Sequence, residues 1–348
     1  MRFPSRLLAA LFILLALAAS ASGAPKAETP LDRTEFVLGT VCSIRLLDGA
    51  SKKALDAAFK RLFEIEATMS INTPGTIVGS VNAAAGNRPV KVPKDVLDVT
   101  RRALYYTELT GSAFDPTIGP IVKLWNIGLD GERVPEPWEI EQALPLVDAK
   151  AVEIDERAGT IYLSRAGMLL DLGGIAKGYA ADEVGRILSQ HGVKAAVIDL
   201  GGNVKVVGRK PDGSKWRIGV QNPSDARGAY IGIASLGKGA TVVTSGIYER
   251  YFIDTDGRSY HHIFDTRTGY PVEGELFSVT VISTTSMDAD GLSTALFALG
   301  LKRGMSLAES QEDVEAIFID SANRVYISSG ASSLFTLTDK NYTLAELP

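Results

Sequence analysis

Apolar and polar residues alternate with a period of two through much of this chain, while a period near 3.6 is confined to a few stretches, so strands should outnumber helices. Residues 34–47 alternate through Phe36, Leu38, Val41 and Ile44 and predict an opening strand or hairpin. Residues 51–69 place Leu55, Phe59, Leu62 and Ile65 at helical spacing, which predicts an amphipathic helix. The polar stretch 70–82, with Pro74, Gly75 and Gly79, reads as a loop, and Pro93 opens a second helix through Val96, Val99 and Ala103. Residues 111–128 mix glycine, proline and aromatics and read as an ordered loop of the kind that lines pockets. A surface excursion at 129–138, a short helix at 139–146 and a hairpin at 152–154 and 160–163 follow.

The centre of the chain, MLLDLGGIAKGYAAD at 168–182, reads as a short buried strand, a glycine corner at Gly173 and Gly174, and the start of a helix. A strand that ends in glycines and feeds a helix presents unpaired N–H groups and the positive end of the helix dipole, which suits an anion. The same pattern also describes a tight corner with no ligand. The corner returns one helix later in AAVIDLGG at 195–202, so two neighbouring strand ends should form one floor. Beyond it, strands are predicted at 204–207, 216–220, 231–235, 241–244, 248–253, 260–264 and 279–283, helices at 291–299 and from 305, and a closing hairpin at 316–320 and 325–328. Only the central unit reads as parallel. The fold class is therefore α+β, with a mixed, largely antiparallel sheet and packed helices.

The amino terminus changes this picture by fixing a compartment. Arg2 and Arg6 precede an apolar run at 7–19, and small residues follow to Ala24, the three-part pattern of a secretory signal. The run is shorter than the roughly 18 apolar residues of a membrane anchor, so 1–24 is expected to be cleaved and 25–348 exported, as one large domain or two closely joined ones. Cys42 is the only cysteine and cannot form an internal disulfide, and its place in an alternating segment predicts a buried strand thiol. Loss of Arg2 and Arg6 takes the formal charge from -5 to -7, which argues against a nucleic-acid partner. A polyanionic ligand would have to be held by metal, backbone N–H groups or a few local cations.

Two stretches carry candidate chemistry. In DGLSTALFALG at 290–300, Asp290 can cap a helix, and Thr294 stands four residues on, so both oxygens project from one face. One carboxylate and one hydroxyl make a partial shell for Mg²⁺, which completes itself with waters, carbonyls and phosphate. Equally, Asp290 can be a cap alone and Thr294 a packed hydroxyl. In SYHHIFDTRTGYP at 259–271, neighbouring strand residues face opposite ways, so only one of His261 and His262 can enter a given pocket. That histidine can move a proton or contact phosphate, or be structural. No zinc-type spacing, Walker loop or dinucleotide glycine fingerprint occurs.

Nine short pieces occur in one order: Met69-Ser70, Asn82 with AAAG, AFDPTIGP (113–120), Leu124-Trp125, DLGGIAKGYAAD (171–182), IDLGGN (198–203), TSGIYERYF (244–252), HHIFDTRTG (261–269) and DADGLSTALF (288–297). Together they resemble the ApbE family, the FAD:protein FMN transferases. The resemblance implies an enzyme of the periplasm or the outer face of the inner membrane. It would split FAD at its pyrophosphate, release AMP and join FMN to a Thr or Ser hydroxyl of an acceptor protein, a subunit of a membrane redox complex. It further implies Mg²⁺ on Asp290, Thr294 and the Ala176 carbonyl, with His262 and Asp290 catalytic. Met69, Asn72, Asp115, Trp125, Lys177, Thr244, Ser245 and Gly246, with His262, would surround the nucleotide and flavin. A dedicated FAD pyrophosphatase and a flavin-storage protein are the alternatives.

The chain departs from the family pattern in places. Where the family has an aromatic three residues after the methionine and a Ser-Glu pair further on, it has Asn72, Thr76 and Ile77. Loss of a stacking ring, worth about 0.5–1.5 kcal/mol, should loosen the hold on intact FAD and favour release and hydrolysis. Asp265-Thr266 replaces an Asp-Pro and is expected to matter little.

Overall fold

A computed structural model describes residues 30–225 and 228–348, and the expected signal segment 1–24 lies outside them. The chain opens with the hairpin β1 (Leu31–Val37) and β2 (Thr40–Asp48), then α1 (Lys52–Met69), α2 (Ile77–Ala83), β3 (Val90–Lys91) and α3 (Lys94–Thr110). The short helices α4 (Gly119–Trp125) and α5 (Pro137–Ala143) precede the hairpin β4 (Val152–Asp155) and β5 (Thr160–Leu163). After α6 (Ala176–Gln190) come β6 (Ala195–Leu200), β7 (Asn203–Gly208), β8 (Trp216–Gln221), β9 (Tyr230–Leu236) and β10 (Thr241–Gly246). The small hairpin β11 (Tyr251–Ile253) and β12 (Ser259–His261) leads to β13 (Leu276–Ser283) and α7 (Ser286–Glu309). β14 (Glu315–Asp320), β15 (Arg324–Ile327), β16 (Phe335–Leu337) and β17 (Thr343–Leu344) close the chain.

Nine strands form one sheet in the order β1-β2-β6-β7-β10-β13-β14-β15-β17, antiparallel except for the β15–β17 pair. The expected α+β architecture is thus the one adopted. Alternation divides the core between the two faces of this sheet. β10 sends Val243 to one side and Val242 to the other, and β14 sends Ala316 and Phe318 opposite Ile317 and Ile319. The first face is covered by α1, α6 and α7, through residues such as Leu62, Val184 and Leu296. The second is covered by the three-stranded sheet β16-β9-β8, which brings Trp216, Val220 and Ile231. A separate cluster of Ile121, Trp125, Ile140, Tyr260 and Phe264 supports the β11–β12 hairpin.

Several expectations need correction. Residues 168–170 form no strand: Leu169 makes a single parallel bridge to Ile118, while Met168 and Leu170 are fully buried. The place of a strand neighbour is taken by the Asn82 side chain, whose Nδ2 donates to the Leu170 carbonyl (3.0 Å) and whose Oδ1 accepts from the Leu170 N–H (2.7 Å). An amide side chain can imitate a neighbouring backbone, so the apolar run stays extended without a ladder. β6 is antiparallel to both its neighbours, so there is no parallel strand-helix-strand unit and no shared floor of strand ends. The 70–82 loop gives way to α2, which Thr76 caps by accepting the Gly79 N–H (3.0 Å), and the 111–128 loop contains α4. The helices expected at 291–299 and from 305 are one element broken at Gly300, whose backbone is not helical (φ 76°, ψ 174°). Cys42 is buried as expected. Its thiol donates to the Val37 carbonyl (3.3 Å), and burial pushes its pKa up to about 12, which leaves it unreactive.

Candidate active site

The site is built where α6 and α7 meet at their starts. Thr285 gives α7 no side-chain cap, and Asp182 of α6 supplies one by accepting the N–H groups of Ser286 (3.1 Å) and Met287 (2.9 Å). Lys205 holds that carboxylate at 2.9 Å. In return, Asp290 Oδ2 accepts the Gly178 N–H (2.8 Å), an early N–H of α6, whose own cap position is the apolar Ile175. Asp290 therefore does not cap its own helix. It stands inside α7, almost fully buried, and satisfies the neighbouring helix instead.

This exchange needs glycine at 178. A Cβ there would lie 2.2 Å from the Ser286 carbonyl oxygen and 2.7 Å from both the Met287 Cα and the Asp290 Cβ, contacts that only a helix displacement could relieve. Gly178→Ala is expected to lower stability by about 1–3 kcal/mol in denaturant unfolding and to reduce turnover by moving Asp290.

Next to Asp290 runs a line of hydroxyls whose direction can be deduced. Ser293 Oγ donates to the Asp290 carbonyl (2.9 Å), which uses its one proton. At 2.8 Å the Ser245 hydroxyl must then donate to Ser293, and at 3.3 Å the Thr294 hydroxyl donates to Ser245. The lone pairs of Thr294 are left free. Gly174 faces that oxygen, since a Cβ there would be 3.8 Å from it and 3.0 Å from the Phe114 ring. The glycine corner and the last long helix thus come together, with Ala176 in the same turn of α6 as Gly178. Lys177 Nζ lies 3.6 Å from Asp290 Oδ1 and 3.5 Å from the Gly173 carbonyl.

The two histidines separate as strand geometry requires. His261 uses both ring nitrogens: Nε2 donates to the Val272 carbonyl (3.0 Å), and Nδ1 accepts the Ile263 N–H (3.2 Å). His262 uses one, Nδ1, which donates to the Arg250 carbonyl (3.1 Å) and so leaves a lone pair on Nε2. Burial, then the positive charges of Arg250 and Lys177, push its pKa down to about 3, and the half-buried ring is neutral at ordinary pH.

Other expected site residues fall into two groups. Ser245 belongs to the hydroxyl line; beside it, Thr244 shares a hydrogen bond with Thr280 (2.8 Å), and Gly246 makes room for the Tyr248 ring. Asn72 is exposed beside a shallow pocket of about 450 Å³, and its Oδ1 accepts from Lys123 (2.6 Å). Met69, Asp115 and Trp125, by contrast, are buried. Met69 ends α1 in the core. Asp115 accepts the Thr117 N–H and hydroxyl and the Ala149 N–H, while burial raises its pKa. The Trp125 ring is fully buried among Tyr260, Phe264 and Tyr270, and its Nε1 donates to the Gly269 carbonyl (2.9 Å).

Sequence reasoning missed Ser293 and Arg250, and it read Asp171 only as standing at the carboxyl end of the expected strand. Ser293 was findable as the hydroxyl beside Thr294. Asp171 closes the glycine corner by accepting the Gly173 N–H (2.8 Å), with its pKa raised by burial and opposed by Lys123, Arg250 and Lys177. Arg250 lies within TSGIYERYF, but its side chain does not betray a role that depends on its carbonyl.

The donors at this junction are hard oxygens. Among the described residues no three His, Cys, Asp or Glu side chains gather as a metal cluster, so a cation here would rely on few protein ligands. The sequence pattern of the ApbE family matches residues 38–318. The chain is 36% identical over 331 residues to the FAD:protein FMN transferase of Treponema pallidum (strain Nichols), covering 90% of each chain. It is 40% identical over 295 residues to that of Klebsiella pneumoniae (strain 342), covering 84% of this chain and 91% of the relative. The ApbE protein of Thermotoga maritima superposes with a TM-score of 0.80 at 31% identity, over 88% of this chain and 99% of its own. The apo flavinyl transferase ApbE of Pseudomonas stutzeri gives 0.78 at 30% identity, over 91% and 100%. Fold, site and relatives together define an enzyme of the transferase class. The chain belongs to the ApbE family.

Proposed function

We propose that this enzyme transfers the FMN half of FAD to a Thr or Ser hydroxyl of an acceptor protein and releases AMP, with Mg²⁺ at the pyrophosphate. The supporting observation is the meeting of Asp290, the free lone pairs of Thr294 and the glycine corner in one place. These hard oxygens suit an ion that keeps most of its waters and takes the rest of its shell from phosphate. Asp290, Thr294 and the Ala176 carbonyl would hold it. When bound, Mg²⁺ supplies charge that offsets the pyrophosphate and polarises the reacting phosphoryl group.

The chain's own groups do the rest. Lys177, 3.6 Å from Asp290, sets a positive charge beside the phosphates. His262 accepts the acceptor's hydroxyl proton on Nε2 as the new O–P bond forms and the P–O bond to AMP breaks. By this reading the protein is exported to the periplasm or the outer face of the inner membrane, and its acceptor is a subunit of a membrane redox complex.

The reading is tested by incubating the protein with FAD and Mg²⁺, with and without Thr- or Ser-bearing peptides. Peptides heavier by FMN are expected, with AMP released in equal amount. FMN and AMP without a labelled peptide would make it a pyrophosphatase, and intact bound FAD a storage protein. Some hydrolysis is expected alongside transfer, because Asn72, tied to Lys123, offers no ring to stack on the cofactor. Asn72→Tyr is expected to tighten FAD binding about 2- to 10-fold in a fluorescence titration and to slow hydrolysis by water.

A further inference from the structure

Thirteen large apolar side chains are exposed among the described residues, and five of them, Phe36, Val41, Leu129, Tyr251 and Ile253, lie on three segments that meet at Arg250. The Arg250 guanidinium donates to the Gly39 carbonyl (3.0 Å) at the tip of the β1–β2 hairpin, where Phe36 and Val41 are cross-strand partners. A Cβ on Gly128, just before Leu129, would lie 3.3 Å from the Arg250 side chain. The Arg250 carbonyl receives both the N–H (3.2 Å) and the Nδ1 of His262. Tyr251 and Ile253 follow directly in β11.

β11 is also an open edge. It pairs with β12 on one side, and the far side of β12 is occupied by Val272, bonded to His261 and to the Ile263 carbonyl (2.9 Å). No described strand pairs with the other edge of β11. Tyr251 and Ile253 point the same way, 50% and 61% exposed, while Phe252 between them turns inward and stacks on Tyr260 (5.4 Å between ring centres). The edge itself carries alternate apolar side chains, and the Arg250 guanidinium at its start is turned to the Gly39 carbonyl. Such an edge suits an extended peptide, which satisfies an open edge with its own backbone.

We infer that the acceptor protein docks here, its hydroxyl-bearing segment adding an extended strand along β11, with Tyr251, Ile253 and the Phe36–Val41 pair contacting its apolar residues. This rests on the transferase reading above. β11 begins directly after Arg250, whose carbonyl holds His262, so a strand laid on this edge ends next to the residue that holds the histidine.

The test uses the full chain with Tyr251→Asp and Ile253→Asp combined, and separately Ile253→Pro, which removes one edge N–H. Three quantities are read: FMN transfer to an array of synthetic peptides bearing one Thr or Ser among alternating apolar residues, FAD hydrolysis without peptide, and FAD affinity. Both variants are expected to lose about tenfold or more in kcat/KM for peptides labelled by wild type, with hydrolysis and FAD affinity within about twofold. Undiminished peptide labelling overturns the inference alone. A parallel fall in hydrolysis and FAD affinity also overturns it, by making these residues part of the nucleotide site or the fold. So does loss of self-association with labelling intact, which would make the edge a contact between copies. A wild type that hydrolyses FAD but labels no peptide overturns the transferase reading, and this docking with it.

Discussion

Asp290→Asn is expected to cut FAD turnover about a thousandfold while leaving the protein folded. The amide keeps an oxygen to accept the Gly178 N–H, so the α6–α7 junction stays closed, but it carries no charge to hold a divalent cation. Asp290→Ala should be worse in a second way. It strands a buried N–H that has no other partner, at a cost of about 1–3 kcal/mol. The comparison separates chemistry from architecture: both variants lose turnover, and only the alanine loses marked stability. Steady-state rates at saturating Mg²⁺, with Mg²⁺ binding by calorimetry and thermal unfolding, read the three effects. An asparagine variant with wild-type turnover would remove the ion from the mechanism.

His262→Gln is the second large expected effect, a fall of about a hundredfold or more in transfer with FAD affinity nearly unchanged. In the proposed reaction Nε2 is the base, and the depressed pKa keeps its lone pair free of a proton. The ring stays unprotonated as pH falls well below the usual histidine value, so no loss of rate near pH 6 should come from this group. Stability runs the other way. An unfolded histidine takes a proton near pH 6.5, whereas the folded ring resists it down to about 3, so the stability present above pH 6.5 is lost as pH falls through that window. His261, also depressed by burial, contributes in the same direction. Denaturant unfolding at pH 7 and pH 5 should show a smaller loss for His262→Gln than for wild type. Because His262 keeps some solvent contact, its share is less than full burial would give.

Much of this was legible in the sequence, for identifiable reasons. Long segments of a single period, such as α1 and the strands around β10 and β14, announced themselves, because each buries one face against a large sheet. Asp290 and Thr294 could be paired because helical spacing fixes their common side. The glycine corner was visible too, but its strand was not real, since Asn82, remote in sequence, supplies the bonds a strand neighbour would have made. Trp125 and Asp115 lay in matching motifs, yet their polar atoms are spent inside the protein. The role of Arg250 was invisible because its carbonyl, common to every residue, is what holds the histidine.

The crossed bonds at the start of α6 and α7 bear on how the protein responds to what it binds. Asp182 bonds the first N–H groups of α7 and Asp290 that of Gly178 in α6, so the shape of the cup rests on bonds between the protein's own groups. Heat resistance gained with magnesium should then follow simple mass action in ion concentration, rising smoothly with the logarithm of excess metal and without a change in unfolding cooperativity. Whatever ordering the reaction demands is left to the incoming polypeptide.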